Sequence, residues 1–262
     1  MPDGQRQQST HRPGANHAPR VSVTVPCHNE RGNLEQLVAE IHQATGSVGV
    51  DYEIVLVDDA SSDGTWELIG KLGATDARVR GIRFETQCGQ SAAMWAGMKS
   101  ARGEIIVTLD ADLQNPPAEI PRLLQALEGW DCVCGTRVAA RMTGDNWVRR
   151  ASSKIANTVR NAFTADGISD SGCCFRAFRR ECVANLTFFK GGHRFLPALM
   201  QMEGFRVTEL AISHRARGAG QTHYGVWNRL IKSLPDLFAV RWMKSRHIRY
   251  KIAATVNPPI EK

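Results

Sequence analysis

No apolar run in this 262-residue chain approaches the ~20 residues that a helix needs to cross a bilayer. A membrane-spanning segment is therefore not expected, which leaves attachment to a membrane surface open. CxxC pairs are missing as well. The seven cysteines are odd in number, with Cys132 and Cys134 in an apolar strand-like run and Cys173 and Cys174 adjacent. They read as buried reduced thiols rather than metal or redox groups, and fit a reducing cytoplasm. No GxGxxG follows the first strand and no GxxxxGKS/T occurs, so neither the dinucleotide fingerprint nor the P-loop is available. Any phosphate must be held by another device. Residues 1–19 lack the apolar core of a signal peptide and, rich in Gln, His and Pro, are expected to form a disordered tail.

Hydrophobic content of 42% and charged content of 23% are ordinary for a globular protein, and the length suffices for a full core. The formal net charge of +7 is unevenly spread. Between Arg215 and Lys251 there are nine Lys or Arg against one acid, Asp236, so the rest of the chain is close to neutral. A local basic surface implies an anionic partner met by the C-terminal end.

Strand and helix signals alternate along the chain. VSVTVP (21–26), YEIVLVDD (52–59), VRGIRF (79–84), EIIVTLD (104–110) and DCVCGTR (131–137) read as strands, each but the last followed by a helical pattern. Asn33 is the expected cap of the first helix, a small-residue helix spans Gln90 to Ser100, and Asn115-Pro116-Pro117 starts another, with Asn115 as its cap. Buried rather than alternating strands argue for an α/β fold with a mostly parallel sheet covered on both faces. A basic, Trp-containing loop is expected over 138–150, then a helix to about Phe163, and further strands in CCFRAF and FRVTELAI (205–212). Without repeats or a clean linker, residues 20–213 form one catalytic domain and 214–262 a basic amphipathic elaboration.

In such a sheet, ligands bind beyond the carboxyl ends of strands where strand order reverses. The segments following strands one, two and four are all polar: PCHNE, DDASSDGT and DADLQ. Asp110 and Asp112 point the same way by the period-two rule and can hold a divalent cation that bridges to a diphosphate, with Gln114 adding an oxygen directly or through water. A calcium loop fails on spacing, because position 6 is Asn115 rather than Gly and position 12 is Pro121 rather than Glu.

Taken in order, VPCHNE, VDDASSDGT, DADLQNPP and GTR resemble glycosyltransferase family 2, in particular its dolichyl- or polyprenyl-phosphate sugar transferases. The likeness runs from about Val21 to Arg246. It implies a GT-A fold, a nucleotide diphosphate sugar donor (UDP- or GDP-linked) and Mg²⁺ or Mn²⁺ at the D-x-D. It further implies that Pro26, His28, Glu30, Asp59 and Arg137 join Asp110 on the nucleotide-sugar side, and that Asp110, Asp112 and Gln114 hold the metal and diphosphate. His28 stands where the family commonly has Tyr. ISDSGCCFRAF resembles the D-x-x-G segment and makes Asp170 the acceptor-side carboxylate. RARGAGQTHYG resembles an R-x-x-G-x-S-K signature and assigns Arg215, Arg217 and His223 to the acceptor phosphate, with His223 in place of Lys.

For such an enzyme, attack on the anomeric carbon from the face opposite the leaving diphosphate inverts the sugar. Asp112 and Arg217 serve the transfer step, and Asp170 either takes a proton or orders the acceptor site. A phosphate monoester, with a second pKa near ~6, is largely deprotonated already and needs no strong base. Trp227, Leu230, Ile231, Leu234, Leu237, Phe238 and Trp242 recur at helical spacing beside basic residues, and Pro235 should kink or divide that helix. Its apolar face packs on the sheet, on a second copy of the chain, or in a membrane interface. Many members of that family carry transmembrane helices beyond this region, whereas this sequence ends YKIAATVNPPIEK; cytoplasmic, peripheral attachment to the inner face of a membrane is expected. A soluble or polysaccharide hydroxyl acceptor is the serious rival to a lipid phosphate. A nucleic-acid-binding module would use the basic end but leaves the D-x-D unexplained, so no nucleic acid is expected.

Overall fold

The computed structural model describes residues 18–138, 158, 160–215, 226–248 and 254. Nearly all of the expected tail, most of the expected basic loop, and both Arg217 and His223 lie outside the described residues. The chain runs β1 (Val21–Cys27), α1 (Arg31–Ser47), β2 (Tyr52–Asp58), α2 (Thr65–Thr75), β3 (Val79–Arg83), α3 (Gln90–Ser100) and β4 (Ile105–Thr108). A 3₁₀ turn (Pro117–Glu119) leads into α4 (Ile120–Ala126), followed by β5 (Cys132–Thr136), β6 (Arg176–Arg179), α5 (Leu196–Met202), β7 (Val207–Ala211) and α6 (Val226–Arg246).

The seven strands form one sheet in the order β3-β2-β1-β4-β6-β5-β7. β1, β2, β3 and β4 are mutually parallel neighbours, and β5 pairs parallel to β7. β6 enters between β4 and β5 and is antiparallel to both. Order reverses at β1, which has β2 on one side and β4 on the other. This is the switch point that the polar strand ends anticipate.

Helices cover both faces. β1 and β2 are buried along almost their whole length, which explains their continuous β-branched composition. One core joins Val21, Val23 and Val25 to Leu34, Leu37 and Ile41 of α1 and to Ile120 and Leu123 of α4. On the other face α3 lies close to the sheet because it is built of small residues. A Cβ on Gly97 would come within 3.2 Å of Thr24 and 3.4 Å of Val57. A second core gathers Met94 and Met98 of α3 with Phe195, Leu196 and Leu199, and takes in Leu237 and Val240 of α6.

Three local expectations change. α1 begins at Arg31, not after Asn33, because groups outside the helix satisfy its start: Asp63 Oδ2 accepts the Arg31 N–H (3.2 Å) and Thr65 Oγ1 the Glu30 N–H (3.0 Å). Asn115 caps nothing; Pro116 occupies the cap position, and the buried Asn115 side-chain oxygen has no partner among the described residues. α6 runs through Pro235 without dividing. One proline removes a single backbone hydrogen bond, and the turns on either side keep theirs.

Candidate active site

Four strand ends meet in an open cleft of about 360 Å³ at the switch point, lined by Pro26 of β1, His28 and Glu30 after it, Asp59 after β2, Gln87 and Gly89 after β3, and Asp110 and Asp112 after β4. The first two loops are stitched together. Asn29 turns the chain with φ 57°, its N–H donates to Ser61 Oγ (2.9 Å), and its side-chain oxygen accepts the Ser62 N–H (2.9 Å). DDASSDGT is therefore mostly a brace for the β1–α1 turn, and within it Asp59 lines the cleft.

Asp59 is almost fully buried and its carboxylate is committed. Oδ1 accepts the Cys88 N–H at 2.6 Å and Oδ2 the Gly89 N–H at 2.8 Å. Its carbonyl faces His28 Nδ1 at 2.8 Å, so Nδ1 carries the proton and Nε2 accepts from the Gln87 amide at 3.2 Å. Asp59 thus holds both the ring of His28 and the loop 87–89. Gly89, with φ 90° and ψ 163°, suits a conformation that only glycine adopts readily.

Gln87, Gly89 and Gln90 belong to the cleft lining and were not anticipated. The segment TQCGQS follows β3, and the strand-end rule applied to that strand would have found it. Gln90 opens α3 and donates from Nε2 to Asp110 Oδ1 at 3.0 Å. Cys88, on the same loop, is the exposed exception among seven free cysteines; the other six are buried, as expected.

Asp110 and Asp112 flank Ala111 on the cleft wall. Leu113 follows with φ 60°, and the Gln114 N–H donates back to Asp112 Oδ1 at 3.1 Å. Burial and then the charge of Asp112 push the Asp110 carboxyl above the usual range, opposed by Arg137, a Cys174 thiol hydrogen bond and Arg176. Two hard oxygen donors facing one cleft suit Mg²⁺ or Mn²⁺, whose other positions would be taken by phosphate oxygens or water. No third His, Cys, Asp or Glu completes a metal cluster among the described residues. Gln114 is half-buried, does not line the cleft, and gives its carbonyl to the Arg215 N–H at 2.8 Å.

Beside β4 lies the segment expected on the acceptor side. Arg137 and Asp170 are both buried and joined at two points, with the Asp170 N–H and the Ser169 N–H and hydroxyl held by Glu209 Oε1. Arg137 thus meets Asp170 and does not line the cleft. Arg215 is exposed and its guanidinium is paired to both oxygens of Glu40 on α1 at 2.9 Å. On α6, Leu237 and Val240 face the core, while Phe238 is 60% and Trp242 64% exposed.

The glycosyl transferase family 2 model matches residues 22–187. Undecaprenyl-phosphate 4-deoxy-4-formamido-L-arabinose transferases from Aeromonas hydrophila and Edwardsiella ictaluri are each 37% identical over 219 residues, 83% of this chain. The chain spans 66% of the length of these curated relatives, just under two thirds. Among solved structures, a Pyrobaculum calidifontis mannosyltransferase in complex with GDP-Man and Mn²⁺ superposes with TM-score 0.60 at 19% identity, over 89% of this chain and 66% of that one. Glucosyl-3-phosphoglycerate synthase from Mycobacterium tuberculosis, with Mn²⁺, UDP and glucosyl-3-phosphoglycerate, gives TM-score 0.58 at 19% identity over 89% of this chain and 85% of that one. These structural likenesses establish a shared GT-A fold. Matched over most of its length by the family model, and carrying a carboxylate pair at the switch point of that fold, the chain belongs to glycosyl transferase family 2.

Proposed function

We propose that the chain moves a sugar from a UDP- or GDP-linked donor, with inversion, onto a polyprenyl phosphate at a membrane surface. The observation that carries this reading is the cleft at the β1/β4 switch point with Asp110 and Asp112 on its wall. The curated relatives, named as undecaprenyl-phosphate sugar transferases, support the acceptor class.

His28, Glu30 and Asp59 receive the nucleoside, with Pro26 at the cleft edge. Asp110 and Asp112 hold the metal and diphosphate, and Gln114 stabilises their turn through its main chain. Bound there, the metal would neutralise the charge that develops on the leaving diphosphate. Both Asp170 oxygens accept from Arg137, which favours an ordering role for Asp170 over proton abstraction. A phosphate acceptor fits that assignment, since it arrives already deprotonated. Arg217 and His223 remain the proposed acceptor-phosphate ligands, while Arg215 serves the link between α1 and the Gln114 turn.

Membrane contact is assigned to the outward face of α6, where Leu234, Phe238 and Trp242 are exposed beside Arg241, Lys244 and Arg246. No helix among the described residues is long and apolar enough to cross a membrane. The test offers purified protein UDP- and GDP-sugars with undecaprenyl phosphate or a soluble hydroxyl acceptor, with Mg²⁺ or Mn²⁺. Lipid-linked product, lost in Asp110→Ala and Asp112→Ala, is expected. Transfer to the soluble acceptor alone would refute the lipid assignment, and full turnover by either variant would refute the metal role.

A further inference from the structure

Arg176 heads the fully buried side chains when these are ranked by size among the described residues. It opens β6, opposite Thr108 of β4 and Cys134 of β5, and so lies beneath the end of the strand that carries Asp110. Nη1 donates to the His193 carbonyl at 2.9 Å and Nη2 to the Ser171 carbonyl at 3.0 Å, while Nε has no partner among the described residues. No carboxylate among the described residues forms an ion pair with it; its surroundings are the thiols of Cys132, Cys134, Cys173 and Cys174.

A guanidinium keeps its proton, so this charge is permanent. Burying it without a counter-ion is costly, and neutral carbonyls only partly offset that. The other buried arginines among the described residues, Arg137 and Arg160, are neutralised by Asp170 and Asp166. Among the described residues Arg176 is therefore the buried arginine without a carboxylate partner, and Asp110 on the cleft wall is in its field. In a low-dielectric interior that field is weakly screened, and its effect depends on the sign of the bound charge.

We propose that Arg176 is an electrostatic positioning residue whose fixed charge favours the donor diphosphate in the cleft and disfavours a divalent cation there alone, so that metal and diphosphate bind as a pair. The inference rests on reading the cleft as the donor site. It gives Arg176 a signature that packing alone cannot produce. Removing the charge should weaken the anion and strengthen the lone cation, whereas loosening the fold weakens both.

The experiment measures UDP and GDP binding in EDTA by calorimetry, and Mn²⁺ binding without nucleotide by electron paramagnetic resonance, at one pH and low salt. In Arg176→Met the metal-free nucleotide Kd should rise about tenfold and the Mn²⁺ Kd fall severalfold, with Arg176→Lys near wild type in both. Arg176→Gln, which keeps a donor for one carbonyl, carries the same expectation if the Met variant does not fold. Weakening of both ligands, or no change in either, overturns the proposal. Failure of both neutral variants to fold while Arg176→Lys folds makes the charge a requirement of the fold and also overturns it. A wild-type protein that binds neither UDP, GDP nor Mn²⁺ would instead remove the donor-site reading.

Discussion

Arg137 and Asp170 form a two-point ion pair in the interior, Nε to Oδ2 at 2.8 Å and Nη2 to Oδ1 at 3.0 Å, and the Arg137 N–H reaches the same Oδ2 at 3.2 Å. Burial opposes the charge on Arg137, and Asp170 more than restores it, holding the guanidinium's pKa above its ordinary value. Breaking such a pair from one side leaves a buried charge alone. Asp170→Ala should destabilise the protein by about 3 kcal/mol in urea unfolding, and adding Arg137→Met should recover most of that loss. Equal destabilisation in the single and double variants would refute the pairing as the cause.

On the proposed reading, Asp59 acts on the donor through the loop that it holds. Asp59→Ala frees the N–H groups of Cys88 and Gly89 and removes the brace beneath Gln87 and Gln90. Donor KM is expected to rise about tenfold with kcat changed much less, since binding rather than the transition state loses support. Steady-state kinetics with varied nucleotide sugar separate the two. A fall in kcat at constant KM would contradict this assignment.

The outward face of α6 presents Phe238 and Trp242 largely to solvent. Replacing both Phe238 and Trp242 with Ser should change unfolding stability by less than about 1 kcal/mol, the edge contact of Phe238 with Phe163 being the main loss. Co-sedimentation with anionic vesicles should fall by about tenfold or more. If vesicle binding persists while a dimer seen by gel filtration dissociates, the face belongs to a second copy of the chain.

His193 links acidity to stability. Burial first, then Arg194 and Arg176, lower its pKa to about 4, and Nδ1 lies 2.7 Å from the Ser91 hydroxyl, which also accepts the Gly191 N–H. The folded state thus keeps this ring neutral, whereas the unfolded chain protonates it near ~6.5. Its contribution is complete above the unfolded pKa, is lost as pH falls from about 6.5 towards 4, and amounts to roughly 3 kcal/mol. Urea titrations of wild type and His193→Asn across that window should converge at low pH. Parallel curves would show that His193 is not responsible.

Strand ends were legible because β1, β2 and β4 are buried on both faces, so their last polar residues mark where the sheet stops. The direction of β6 was not legible: an apolar run such as CCFRAF reads the same in either sense, and only the pairing of Thr108 with Arg176 decides it. The partner of Arg215 was hidden for another reason. Glu40 is 175 positions away, and no local pattern announces that contact. Arg137 and Asp170 were both singled out, yet assigned to opposite substrates, because spacing cannot show that two charges neutralise each other.

Asn29, Ala60 and Leu113 each follow a different cleft strand, and each holds a positive φ, at 57°, 54° and 60°. Asparagine tolerates this, but alanine and leucine are held there at about 1 kcal/mol or more apiece. Selection for heat resistance would find Ala60→Gly rewarding, because it relaxes the backbone, whereas Leu113→Gly would also strip a side chain packed against the core. The change at Ala60 would slacken the turn that aims Asp59. Engineering for robustness and selection for turnover should therefore diverge at that position.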